Sequence, residues 1–176
     1  MVALLRGVNV GGHGKLPMAD LRAIAEELGY HDVATYIQSG NLVLSSSDGA
    51  ATVARDLAAA IAAGSSVAPA VMVRTRSQLA KVVRDNPFVA RGEDEANLHV
   101  LFTDGPAAAS LATLDLDRYA PEEAIAVGKE LHLLFPNGVG RSKLAVDLGR
   151  QKGTVGTMRN WRTITKLLAM ADEAAA

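Results

Sequence analysis

Val33-Ala34-Thr35-Tyr36-Ile37-Gln38-Ser39-Gly40-Asn41-Leu42-Val43-Leu44 is the stretch on which the architecture turns. Val33, Thr35, Ile37 and Ser39 alternate with Ala34, Tyr36 and Gln38, the two-residue period of a strand. Ser39-Gly40-Asn41 supplies turn residues, and Leu42-Val43-Leu44 resumes the extended pattern. The stretch reads as a β-hairpin.

Working outward, the flanks complete a unit around that hairpin. Upstream, Val2 to Val8 is an apolar strand that runs into Gly11-Gly12-His13-Gly14, and Pro17 opens a helix carried by Leu21, Ile24 and Leu28 and stopped at Gly29. Downstream, Val53, Leu57 and Ile61 mark a helix over about Thr52 to Ala63, and Val67, Val71 and Val73 mark a strand. The order β-α-β-β-α-β is that of a ferredoxin-like unit, two helices over one face of an antiparallel sheet.

The remainder repeats the theme less completely. A helix from Ser77 ends near Asn86 before Pro87, and the polar loop Arg91-Gly92-Glu93-Asp94-Glu95 follows. A strand at Leu98 to Thr103, a helix near Ala107 to Leu114, strands at Ile125–Val127 and Leu131–Phe135, and helices near Ser142 to Leu148 and Met158 to Asp172 give β-α-β-β-α-α. The expected fold class is α+β. Residues 1–76 form a ferredoxin-like N-terminal half, 77–95 a helical linker and polar loop, and 96–176 a related α+β half packed with the first. No residue-level repeat is visible between the halves.

Composition narrows the chemistry. The 176 residues suit one ordinary domain or two small halves. With no Cys, disulfides, thiolate nucleophiles and cysteine-ligated metals are excluded, and a cytoplasmic location is the expectation. Hydrophobic residues make up 49% and aromatics 4%, a globular composition biased to Ala, Val and Leu. Lys plus Arg number 18 against 19 Asp plus Glu, so any polyanion site must be a local patch. No apolar run approaches membrane-spanning length, and Met1 to Arg6 has the look of a strand, not of a signal peptide.

Chemistry-bearing residues gather at element junctions. Asn9-Val10-Gly11-Gly12-His13-Gly14-Lys15-Leu16 joins a strand to a helix, where backbone N–H groups can cradle phosphate. A P-loop would need Gly at Asn9 and Ser or Thr at Leu16, so this is a different kind of loop. In Asn137-Gly138-Val139-Gly140-Arg141-Ser142-Lys143, Ser142 can cap the next helix while Arg141 and Lys143 add positive charge. Arg159 and Asn160 stand at the start of the expected last helix, where Arg159, Arg162 and Lys166 share one side and Trp161, Ile164, Leu168 and Ala171 the other. Trp161 belongs in the core on that pattern. Gln38, Ser39 and Asn41 cluster at the hairpin tip, with turn completion as the default role. Ser39 has no G-x-S-x-G setting. His13, His31, His99 and His132 show no metal spacing, although His99 and His132 on strands could meet across a sheet. No metal or other cofactor is expected.

Four blocks occur in order: Leu5-Arg6-Gly7-Val8-Asn9-Val10-Gly11-Gly12, Tyr36-Ile37-Gln38-Ser39-Gly40-Asn41, Gly140-Arg141-Ser142-Lys143-Leu144, and Arg159-Asn160-Trp161 with Thr163, Thr165 and Lys166. Together they resemble the bacterial domain of unknown function 1697, over nearly the whole chain. The resemblance implies a cytosolic bacterial protein with a ferredoxin-like N-terminal part, and a few further residues before the first strand. It brings no catalytic residues.

The leading expectation is a noncatalytic binding module for a phosphate-bearing ligand: a nucleotide, a phosphorylated metabolite or a short nucleic acid. The candidate anion site comprises Arg6, Asn9, Lys15, Gln38 and Asn41 from the first half. Arg141, Ser142, Lys143, Arg159 and Asn160 join them from the second. RNA-recognition sheets stack bases on strand aromatics, and here only Tyr36 is offered. The alternatives are an enzyme on an anionic small molecule, with Lys15, Lys143 and Arg159 stabilising charge and Ser142 or His99 moving protons, or a structural protein that forms homodimers. No catalytic motif is recognisable, and no membrane partner is expected.

Overall fold

Val2, Ala3, Leu4 and Leu5 are each at most 1% exposed, so the first strand, β1 (Val2–Leu5), is covered on both faces and must lie inside a sheet. The computed structural model, which describes residues 1–11, 14–151 and 155–175, shows why. After α1 (Met18–Glu27) come β2 (His31–Thr35), β3 (Asn41–Ser45), α2 (Ala50–Gly64) and β4 (Val71–Arg74). The antiparallel sheet runs β2-β3-β1-β4, with β1 between β3 and β4. This is the ferredoxin-like order that the hairpin implied.

One face of that sheet carries Ala3, Leu5, Leu42, Leu44 and Val73. They pack with Leu21 and Ala25 of α1 and with Val53, Leu57 and Ile61 of α2, apolar stripes at helical spacing. Helix α1 ends where Gly29, at φ 81°, turns the chain, with its N–H donating to Glu26 O and the Tyr30 N–H to Ala25 O. The edge strand β2 is irregular: its pairing shifts between His31 and Ala34, and Asp32 sits at φ 51°.

Two units divide the chain, Met1–Lys81 with Thr165–Ala176, and Val82–Ile164. Along the chain α3 (Arg76–Arg84) spans the boundary, and the second unit continues with the single turn α4 (Pro87–Ala90), whose N-cap Asn86 Oδ1 accepts from the N–H groups of Phe88 and Val89. The second unit holds β5 (Leu98–Thr103), β6 (Glu123–Val127), β7 (Glu130–Leu134), α5 (Lys143–Arg150) and β8 (Gly156–Asn160), and α6 (Trp161–Glu173) follows. Its sheet runs β6-β7-β5-β8, again antiparallel throughout. Among the described residues no helix is long and apolar enough to cross a membrane.

Two expectations need correction. The helix expected near Ala107 to Leu114 is instead a pair of 3-10 turns, Ala107–Ser110 and Leu116–Tyr119. Its inward positions fall three apart, at Ala107 and Ser110, Leu111 and Leu114, Leu116 and Tyr119, which suits a three-residue turn. The last helix starts at Trp161 and not Met158, because Gly156 to Asn160 forms β8. Apolar alternation could not reveal that strand, since its two buried residues are Thr157 and Arg159.

With β8 restored, the second sheet repeats the first bond for bond where β1 and β5 end. Leu5 N–H donates to Gly40 O at 2.9 Å and Thr103 N–H to Lys129 O at 3.0 Å; Arg6 N–H donates to Ala70 O at 2.9 Å and Asp104 N–H to Val155 O at 3.0 Å. Across the sheets, the row Val43, Val2, Arg74 corresponds to His132, Val100, Arg159. Both arginines are buried, and each donates from Nη1 to the carbonyl of the residue before it, Val73 at 3.1 Å and Met158 at 2.8 Å. Each is followed by a helix cap: Thr75 Oγ1 accepts from Gln78 N–H, and Asn160 Oδ1 from Thr163 N–H. These shared bonds supply the residue-level correspondence that the sequence hides.

Gly40 has φ 70°, and a Cβ there would lie 2.8 Å from the Leu5 Cβ, whereas at Gly29, with φ 81°, a Cβ meets nothing within 4 Å. Gly40→Ala is therefore expected to cost about 3 kcal/mol, and Gly29→Ala about 1 kcal/mol from the left-handed backbone alone. Urea denaturation of both variants tests the difference; equal losses would show that the approach to Leu5 is not tight.

Candidate functional site

In the first unit, hydrogen bonds bring the β1–α1 loop and the hairpin together. Asn9, at φ 57°, uses its whole side chain: Nδ2 donates to Leu16 O and to Gln38 O, each at 2.8 Å, and Oδ1 accepts from Leu16 N–H at 2.9 Å. Asn41 is fully buried, and its Nδ2 donates to Tyr36 O at 3.1 Å and Ser39 Oγ at 3.0 Å. Both amides thus brace the corner and are spent on it, the turn-completing role expected for the hairpin. Arg6, Lys15 and Gln38 are exposed at the same corner, beside Val10 at 64% exposure and Ile37 at 52%. Ile37 holds φ 50°, a strained state for a β-branched residue. Gly12 and His13 of this loop lie outside the described residues.

In the second unit, the start of α5 already holds an anion, the carboxylate of Glu122. Its Oε2 accepts from Ser142 Oγ at 2.8 Å and from Leu144 N–H at 3.1 Å, while Ser142 Oγ accepts from Ala145 N–H at 2.8 Å. Ser142 is the helix cap the sequence indicates, but it is buried and committed. Arg141 and Lys143 beside it are exposed, and among the described residues neither side chain has an ion-pair or hydrogen-bond partner.

Those two cations border a depression of about 380 Å³ lined also by Gly140, Ser142, Val146, Asp147 and Arg150. Leu144 and Leu148 turn α5 inward, which leaves Lys143, Val146, Asp147 and Arg150 at i, i+3, i+4 and i+7 along its outer side. Asp147 Oδ2 accepts from the Tyr119 hydroxyl at 2.8 Å, a bond that pushes the phenol pKa up, and Oδ1 stands 3.8 Å from Arg150 Nη1. Sequence reasoning missed Arg150 and Asp147, although their spacing from Lys143 marks one helix side. It also missed Glu122 and Tyr119, for which no local pattern exists.

Arg159 and Asn160 do not open a helix beside a cleft, because both belong to β8. Arg159 is 9% exposed, its Nη1 donates to Thr157 Oγ1 at 2.7 Å, and burial lowers its pKa to about 10. Asn160 caps α6. The two strand histidines do not meet: His132 pairs with Val100 and His99 with Leu133, so they point to opposite faces of the sheet. Among the described residues no three His, Asp or Glu side chains gather closely enough to hold a metal ion.

His132 is 1% exposed with no hydrogen-bond partner at Nδ1, and burial lowers its pKa to about 4 against a small opposing attraction from Asp85. The unfolded chain, with an ordinary imidazole near 6.5, binds the proton first on acidification. Stability is therefore expected to fall as pH drops from about 6.5 to about 4, by at most about 3 kcal/mol from this residue. His132→Val, the residue found at the matching place in the first sheet, should flatten that limb in urea titrations, leaving a smaller slope from His99, whose pKa burial also lowers. An unchanged limb would assign the acid loss to other groups.

No curated protein matches the chain. A solved structure of a conserved bacterial protein from Streptococcus pneumoniae is similar, with a TM-score of 0.77, 24% identity and 97% of each chain covered, which shows a shared fold. The family model described as protein of unknown function (DUF1697) matches residues 1–132, which include the Leu5 and Tyr36 blocks and leave the Gly140 and Arg159 blocks beyond the match. On that match, the chain belongs to the DUF1697 family of proteins of unknown function.

Proposed function

We propose that the protein is a bacterial, cytoplasmic binding module for a phosphate-bearing ligand, held by Arg141 just before α5 and by Lys143 and Arg150 along its outer side. The observation that carries this reading is that three exposed cations line one depression of about 380 Å³, two of them without a partner among the described residues. Solvated arginine and lysine heads retain their donors for phosphate oxygens, bidentate in the case of arginine. Because Glu122 occupies the start of α5, the ligand would rely on these side chains and not on the helix N-terminus.

A binding role is favoured over catalysis by the state of Ser142. Its hydroxyl donates to Glu122 Oε2 and accepts from Ala145 N–H, and the side chain is buried, so among the described residues the hydroxyl that lines the depression is committed to capping α5.

The test is thermal stability in inorganic phosphate, with sodium chloride at matched ionic strength as the control. Ligand at about ten times its Kd should add about 1.4 kcal/mol, a rise of about 3–5 °C in Tm. The rise is expected to vanish in Arg141→Ala/Lys143→Ala/Arg150→Ala and to persist in Arg6→Ala/Lys15→Ala. No specific rise in the parent protein, or the same rise in the triple variant, refutes the assignment; loss in the Arg6/Lys15 variant alone moves the site to the hairpin corner.

A further inference from the structure

Asp147 is a residue that binding of phosphate alone does not call for. It lines the same depression as Arg141, Lys143 and Arg150, and a carboxylate there repels an anionic oxygen. Nor is it consumed by its neighbours: Oδ2 receives the Tyr119 hydroxyl at 2.8 Å, but Oδ1 is 3.8 Å from Arg150 Nη1, too long for a hydrogen bond. The side chain is 40% exposed and lines the depression, so its carboxylate is within reach of a bound molecule. Among the described residues the lining contains no aromatic ring, and Val146 is its main apolar side chain. A nucleobase would find no aromatic stacking platform, a contact worth about 1–3 kcal/mol per base where it is made.

Resting on the phosphate-binding reading above, we infer that the depression selects a small phosphomonoester carrying a nearby hydrogen-bond donor, with Asp147 as the specificity-determining residue. The phosphate meets the three cations, and a hydroxyl or ammonium group on the same small molecule donates to Asp147 Oδ1. Tyr119 is a positioning residue: its hydroxyl fixes Oδ2 and so sets the direction of Oδ1. The two donor types are one chemistry from the carboxylate's side, and separate probes tell them apart.

Isothermal titration with five probes tests this: inorganic phosphate, methyl phosphate, glycerol 3-phosphate, phosphoethanolamine and AMP. Glycerol 3-phosphate or phosphoethanolamine should bind about tenfold more tightly than methyl phosphate, the worth of one hydrogen bond to a charged group. In Asp147→Asn that preference should disappear while methyl phosphate binds as well as before or better, since a repelling charge has gone. Tyr119→Phe, which leaves the carboxylate in place, should reduce the preference and serves as the test should Asp147→Asn fail to fold. Equal binding of all phosphomonoesters, a preference that survives both variants, or a uniform weakening would overturn the inference and leave the phosphate reading standing. AMP binding more tightly than either donor-bearing probe would overturn it as well. If no probe binds, inorganic phosphate included, the phosphate reading itself fails.

Discussion

Each sheet is organised by a central strand whose core-facing residues are fully covered. β1 has four residues and all are buried; in β5 Leu98, Val100 and Phe102 are fully buried. A strand with paired edges and covered faces can neither slide nor turn over without exposing its whole apolar set. The tie at its exit adds to the constraint, because two consecutive N–H groups, of Leu5 and Arg6 in one sheet and Thr103 and Asp104 in the other, are bonded to the residues that precede the flanking strands. Variation between the two units is consequently found in the connections and in what flanks the central strand. One unit spans from first to second strand with α1, the other with 3-10 turns; one places Val43 beside its central strand, the other His132.

How much of this was legible in the sequence follows from where the polar residues lie. The first unit could be read because its buried positions are aliphatic and regularly spaced, and the hairpin announces itself through Ser39-Gly40-Asn41. β8 was hidden because an arginine and a threonine take its buried positions, and a buried arginine reads as surface in any pattern based on hydropathy. The 3-10 segment was hidden for the opposite reason: an alanine-rich run has high helix propensity whatever packing demands of it.

The same logic applies to the candidate site. Ser142 as a cap was visible locally, since the signal is a hydroxyl followed by an amphipathic run. Glu122, which completes that cap from twenty residues away, was not, and its presence changes the meaning of the Gly-rich turn from an open anion cradle to a closed one. The amides Asn9 and Asn41 show the converse: polar residues at a junction look available until their bonds are counted, and here every donor on each is engaged. In the second unit the exposed cations Lys143 and Arg150 sit on a helix whose inner side is anchored by Leu144 and Leu148, with Arg141 just before it.

The irregular edge of the first sheet has a consequence for how such a chain survives at high concentration. A protein in which nearly half the residues are hydrophobic risks growing fibrils by adding strands to an open edge. At β2 the shifted pairing between His31 and Ala34 and the left-handed Asp32 interrupt the row of outward N–H and C=O groups, and His31 and Asp32 are both exposed. A neighbouring molecule arriving at this edge meets a kinked and polar template that cannot register a flat strand, so the defect in the ladder protects against aggregation.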